Sequence, residues 1–223
     1  MTKKQRALAA VEALKLKYPD AKCSLNADTP FQLLVATRLS AQCTDARVNI
    51  VTPELFKKLP TPYHFAKAEV SEIEALIKSC GLYKTKARDL KQLGITLTEQ
   101  YGGELPKTLD ELIKLPGIGR KTANLICGDV YGLPAVVADT HCIRISGRLG
   151  LTDTTDPKKV ELQLKAILPP DESNDFCHRI VLHGRDTCKA PHPKCDECCM
   201  SSFCPKKLVK KEKTKNNEHT LYR

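Results

Sequence analysis

Four cysteines near the C-terminus, Cys188, Cys195, Cys198 and Cys204, stand at C-x6-C-x2-C-x5-C. Thiolates gathered within so short a loop can all reach one centre, so this segment is constrained to wrap a closed metal or iron–sulfur site. The rival arrangement is a pair of disulfides. It is disfavoured because the chain starts with MTKKQRALAA, a basic, helix-forming stretch without the apolar segment of an export signal, so a reducing compartment is expected. Four thiolates suit zinc as well as iron by charge and softness, and spacing alone leaves both open. The other seven cysteines (Cys23, Cys43, Cys80, Cys127, Cys142, Cys177 and Cys199) are scattered among apolar residues and read as small core residues.

A chain of 223 residues buries roughly 70 % of its unfolded surface and needs no metal to afford a core. The net charge is +10, and Lys206 to Arg223 holds seven Lys or Arg against two Glu, so half of the excess sits in this tail. A basic body with a basic tail points to a polyanion such as nucleic acid, although charge of this size also serves plain solubility. No run approaches the ~18 apolar residues of a membrane span.

The apolar period is helical almost throughout, which predicts an all-α fold. Lys4 to Tyr18 is rich in Ala and Leu. Thr29-Pro30 opens a helix with proline where its missing N–H does no harm. Ser71 with Glu74 and Thr108 with Glu111 have capping-box spacing, and Gly81 and Gly102 are expected as C-terminal stops. Further helices are predicted from about Lys121 to Tyr131, His141 to Leu149, Pro157 to Leu168 and Ser173 to Arg185. Pro134 to Val137 is an apolar run too brief to assign. The tail is charged, nearly free of apolar residues, and expected to be disordered.

In Leu115-Pro-Gly-Ile-Gly-Arg-Lys-Thr-Ala-Asn124, a capped helix ends, Gly117-Ile118-Gly119 turns tightly, and a new helix begins near Arg120. Such a turn exposes backbone N–H groups at a helix N-terminus, where the macrodipole favours an anion, so a DNA phosphate can dock without any base contact. The element has no preceding strand and is followed by Arg120 and Lys121. A helix-hairpin-helix DNA-binding element fits better than a nucleotide-binding loop.

LPGIGRKTAN, AVVADTH at 135 to 141, HGRDTC at 183 to 188, LSAQCTD at 39 to 45 and the cysteine array together resemble the endonuclease III family of DNA glycosylases and abasic-site lyases, in the helix-hairpin-helix superfamily. The resemblance covers all but about the last dozen residues. It implies a two-domain helix-hairpin-helix glycosylase fold: a six-helix domain over 23–133, and a second domain joining the N-terminal helix (1–22) to residues 134–204, with 205–223 as the basic tail. It also implies that the four cysteines hold a [4Fe–4S] cluster.

Base removal with strand nicking requires a nucleophile for C1′ that later serves as an electron sink, and a lysine amine does both through a Schiff base. The resemblance assigns this role to Lys121, placed at a helix start where the dipole disfavours the ammonium. From the residues alone a phosphate contact would be the simpler role, as expected for Arg120. In related adenine glycosylases this place is not a lysine and strong lyase activity is absent. The matching carboxylate is Asp139, suited to stabilise an oxocarbenium-like sugar and to take a proton from Lys121; equally it is placed to cap the helix near His141, and both roles are compatible.

Chemistry on a duplex base demands extrusion, which leaves a gap in the stack. The resemblance gives Gln42 and Leu82 as the gap fillers, with Cys80 departing from the larger aliphatic residue often found beside the leucine. Lys189 and Lys194 lie on the loop between the first two cysteines and are expected to meet phosphate. His141, His178 and His183 lack metal-site pairing and are expected in hydrogen bonds. The expected partner is damaged double-stranded DNA, met by a monomer without an obligate protein partner in the cytoplasm, at the nucleoid of a prokaryote. A monofunctional or mismatch-type glycosylase of the same fold, and a non-catalytic DNA-binding iron–sulfur protein, are the alternatives.

Overall fold

In the computed structural model, which describes residues 1–209, regular structure among the described residues consists of eleven α-helices and one 3₁₀ turn, with no strand. The predicted all-α class is what the chain adopts. The expectation for the tail lies outside the described residues beyond 209.

Helix α1 (Lys3–Lys17) starts on a reciprocal cap in which Thr2 Oγ1 accepts from Gln5 N–H at 3.2 Å and Gln5 Oε1 accepts from Thr2 N–H at 2.9 Å. Ala7, Ala10, Val11 and Leu14 recur at helical spacing on one buried face. This face packs on α11 (Ser173–Asp186), so the first and last helices are neighbours. Arg179, 4 % exposed on α11, pairs with Glu172 at 2.6 Å and Asp175 at 3.0 Å, while Lys15 of α1 also pairs with Glu172.

Helix α2 (Pro30–Ser40) begins with Thr29 as cap and Pro30 in the first turn, as its sequence predicts. It buries Phe31, Leu34, Val35 and Leu39. Helix α3 (Asp45–Lys58), capped by Thr44, contains Pro53 and was not apparent from the period. Four more helices follow: α4 (Pro62–Lys67), α5 (Val70–Ile77), α6 (Tyr83–Gln100) and the single turn α7 (Leu109–Leu112). Then come α8 (Arg120–Asp129), α9 (Thr140–Arg148) and α10 (Pro157–Lys165). Helix α8 touches both α2 and α11, which places the hairpin between the middle of the chain and its end.

Two predicted boundaries are corrected. Helix α5 starts at Val70 with Glu69 as cap residue and no side-chain cap, so Ser71 sits inside the first turn instead of capping it. Gly81 does not supply a left-handed stop: α5 ends on Lys78, and the left-handed residue is Leu82, with φ of 59°, at the start of α6. Gly81 is needed for closeness, since a Cβ there would lie 3.0 Å from the Gln42 carbonyl oxygen. The other two features hold: Thr108 Oγ1 accepts from Glu111 N–H at 3.3 Å, and Gly102 ends α6 with φ of 61°. Ala135 to Val137 are buried in irregular backbone that leads directly into Asp139.

Candidate active site and nucleic-acid interface

The hairpin joins α7 to α8 through Gly117, whose φ of 72° favours glycine. A Cβ there would also approach Arg38 Nε to 2.8 Å and Asp89 to 2.9 Å. Ile118 anchors the turn at 5 % exposure, and its N–H donates to Leu115 O at 3.1 Å. Gly119 is the cap residue of α8, makes no side-chain cap, and has open space where a Cβ would stand. The first-turn N–H groups of α8 therefore face room for an anion.

Arg120 is placed differently from its sequence expectation. Its guanidinium forks onto Glu161 of α10 at 2.7 and 2.9 Å, and Glu161 is only 2 % exposed. Lys165 completes the group, 2.9 Å from Glu161 and 3.2 Å from Asn124 Oδ1. Burial pushes the Glu161 carboxyl up, but hydrogen bonds from Arg120 and Lys165 prevail and hold it below its ordinary value. This side chain fastens the hairpin helix to α10.

Lys121, exposed in the first turn of α8, and Asp139 line one cleft with a volume of about 310 Å³. Asp139 caps α9, with Oδ1 accepting from Cys142 N–H at 2.7 Å. Capping and cleft placement thus coexist in one carboxylate. His141 also lines the cleft and lies 3.1 Å from Arg144. Burial holds its imidazole below the ordinary value; Arg144, Arg185 and Lys121 push the same way, and Asp139 opposes them. Across the rim, Asp45 of α3 accepts from Arg185 of α11 at 3.1 Å and from Ser24 Oγ. Nothing in local spacing marks Asp45 and Arg185 as partners. His178 pairs with Asp129 at 2.7 Å, and the fully buried His183 meets Tyr18 and Cys198, so both histidines are hydrogen-bonded as expected.

Gln42 and Leu82 come from loops far apart in sequence that meet through the Gly81 and Gln42 backbones. Both are exposed, Leu82 at 56 %, and both hold left-handed φ of 54° and 59°. Each such residue stores on the order of 1–3 kcal/mol that its surroundings must offset. Side chains held outward on strained turns are suited to entering a base stack.

Cys188, Cys195, Cys198 and Cys204 line a single chamber, and none is in a disulfide. Among the described residues no three Cys, His, Asp or Glu side chains converge as one metal ion requires. Donors reach the sulfurs: Arg148 Nη1 to Cys188 at 3.3 Å, Met200 N–H to Cys198 at 3.4 Å and Lys206 N–H to Cys204 at 3.4 Å. Hydrogen bonds from Cys199, His183 and the Met200 N–H hold Cys198 down to about 4. Two arginines of α9 pin the loop by its backbone: Arg144 reaches Cys188 O at 2.9 Å, and Arg148 reaches Lys189 O and Ala190 O at 2.7 Å each. The Lys189 and Lys194 side chains are exposed, and Lys194 lies 3.3 Å from Glu197.

A helical chain with a helix-hairpin-helix turn feeding a Lys and Asp cleft defines a class of DNA repair protein. Residues 35–170 match the family described as HhH-GPD superfamily base excision DNA repair protein. The chain is 45 % identical to endonuclease III of Synechocystis over 205 residues, covering 92 % of this chain and 94 % of that protein. Endonuclease III of Bacillus subtilis is 44 % identical over 84 % of this chain and 86 % of its own, and that of Escherichia coli 35 % over 90 % and 95 %. A solved endonuclease III trapped as a covalent intermediate with DNA superposes with a TM-score of 0.87 at 42 % identity, over 92 % of this chain and 97 % of that one. The chain belongs to the endonuclease III family of the HhH-GPD superfamily.

Proposed function

We propose that this protein removes oxidised pyrimidines from duplex DNA and cleaves the resulting abasic site by β-elimination. The observation that carries the reading is the convergence of Lys121 and Asp139, each at the N-terminus of its own helix, on one cleft beside a phosphate-ready hairpin. The hairpin N–H groups and the exposed lysines hold the duplex by its backbone. Gln42 and Leu82 fill the gap as the damaged nucleotide turns into the cleft. The free amine of Lys121 attacks C1′ as the base departs with a proton, and Asp139 stabilises the positive sugar and accepts the proton that Lys121 sheds. The C1′–O4′ bond then opens, with a proton passing to O4′, to give the Schiff base, which acidifies C2′; the C2′ proton leaves together with the 3′ phosphate. Hydrolysis returns the lysine.

The four thiols that surround the chamber fit a [4Fe–4S] cluster better than one zinc ion, because a cluster spreads its irons over a volume whereas zinc needs donors converging on a point. Once held by Cys188, Cys195, Cys198 and Cys204, it would supply a covalent staple for the loop that carries Lys189 and Lys194. We read residues 23–133 as one lobe, and α1 with residues 134–204 as the other, with the cleft between them. The protein acts as a monomer on DNA at the nucleoid; among the described residues no helix is long and apolar enough to cross a membrane. Borohydride reduction with abasic-site DNA tests the whole reading: a covalent adduct at Lys121 is expected, and strand cleavage without any adduct would overturn it.

A further inference from the structure

The two loops that carry Gln42 and Leu82 hold a second set of reactive groups, unused by the repair chemistry. Cys43 follows Gln42, and Cys80 precedes Gly81-Leu82. Because a Cβ on Gly81 would stand 3.0 Å from the Gln42 carbonyl oxygen, the two backbones are in contact between these cysteines. The Cys80 thiol lies close enough to Cys43 to feel its charge. Cys80 is buried, at 1 % exposure, while Cys43 is partly open. Beneath them lies Lys86, a fully buried lysine whose Nζ donates to Leu39 O at 2.8 Å and whose charge is felt at both sulfurs.

We propose that Cys43 and Cys80 form a modification site, at which a hydroperoxide converts the thiol pair into a disulfide that ties the two gap-filling loops together and slows base release. The functional half rests on the reading of Gln42 and Leu82 given above. A disulfide needs Cα atoms within about 7 Å, which touching backbones at the neighbouring residues allow. Cys43 reacts first, since it is the more open; burial, aided by the Cys43 charge, pushes the Cys80 thiol up to about 11. The Cys43 thiolate attacks one peroxide oxygen, the O–O bond breaks, and the departing hydroxide leaves as water with the proton the thiol gave up. Cys80 sulfur then attacks the sulfenic sulfur, the S–O bond breaks, and the second hydroxide leaves as water with the Cys80 proton. Two thiols are oxidised by two electrons and one peroxide is reduced. The Lys86 ammonium favours the Cys80 thiolate as it forms.

The consequence follows from strain already present. Both gap fillers sit on left-handed backbone, and entering a base stack requires their loops to adjust to the duplex. A fixed sulfur bridge removes that adjustment while leaving the backbone N–H groups of the hairpin free to hold phosphate.

The test uses the full-length iron-loaded protein. It is treated with hydrogen peroxide at a dose that leaves its visible absorption unchanged, followed by peptide mapping and single-turnover base release on duplex DNA with an oxidised pyrimidine. A Cys43–Cys80 cross-linked peptide is expected, with base release slowed by roughly 10²-fold, the scale of about a 1 Å misplacement. Undamaged-duplex affinity should hold, and dithiothreitol should restore the rate. Cys43→Ser and Cys80→Ala, each compared with itself before and after peroxide, should show no such loss. Absence of the cross-linked peptide, a cross-link without a rate change, or an equal loss in both variants would each overturn the proposal. Failure of the repair reading is distinct: the reduced wild-type protein would then release no base at all.

Discussion

Asp139 is proposed to carry two roles in one side chain, and two substitutions separate them. Oδ1 accepts the Cys142 N–H at 2.7 Å at the start of α9. Asn at this position keeps an oxygen in the same place, and Asn and Asp are near-equivalent caps, so Asp139→Asn is expected to change stability by only a few tenths of a kcal/mol. It deletes the negative charge, and base release should slow by roughly 10²–10⁴-fold, the range of a positioned acid–base group. Asp139→Ala removes charge and cap together, so the same loss of rate should come with about 0.5–2 kcal/mol of destabilisation. Urea melts give the stability, and single-turnover base release on an oxidised-pyrimidine duplex gives the rate. Wild-type rates in Asp139→Asn would refute the electrostatic role. Equal destabilisation in both variants, with the folded fraction of each fully active, would show that the carboxylate is a cap and nothing more.

Lys121→Gln should bind abasic DNA yet yield neither strand cleavage nor a borohydride adduct, because an amide forms no Schiff base; gel analysis of trapped complexes reads this directly. Cys195→Ser should lose the yellow-brown colour and about four irons per chain, whereas Cys199→Ser, outside the chamber, should keep both by absorption and iron analysis. Duplex affinity should fall with salt with a slope of about −0.9 per phosphate neutralised, and Gly119→Val, which meets open space, should weaken damaged and undamaged DNA alike in titrations without unfolding the protein. The His141 imidazole is held below its ordinary value of 6.5, so as pH falls the unfolded chain takes this proton first. Its stabilising share is complete above 6.5 and lost as pH drops from there towards the folded value, a slope that His141→Asn should remove from pH-dependent melts.

Helices that begin with their own chemistry were readable before folding: Thr29-Pro30, Thr108 with Glu111, and the Gly119-Arg120 start all lie where local spacing puts them. Helix α3 escaped because Pro53 interrupts its pattern, and the start of α5 was displaced because a Ser and Glu pair just inside the helix imitates a cap. The glycine before Leu82 misled in the same way: its small size serves the contact with Gln42, while the strain sits on the leucine. In the site, Lys121 and Asp139 were legible only through family resemblance, since a lysine after a hairpin and an aspartate before a threonine have commoner duties. The pairing of Arg120 with Glu161 was not legible, because Glu161 lies on a helix no local pattern connects to it. Asp45 and Arg185 share that reason: tertiary folding alone brings them to one rim.

The packing of α1 on α11 also bears on how the chain is made. The ribosome delivers Ala7, Ala10, Val11 and Leu14 long before their counterpart surface on Ser173–Asp186. At about 5–20 residues per second, the leading helix waits roughly ten to thirty seconds with its apolar stripe uncovered. Fifteen residues are too few to hold a helix firmly alone. Helices α2 to α8 can assemble during that interval, so the growing chain carries a finished middle beside an apolar stripe that stays uncovered until α11 emerges.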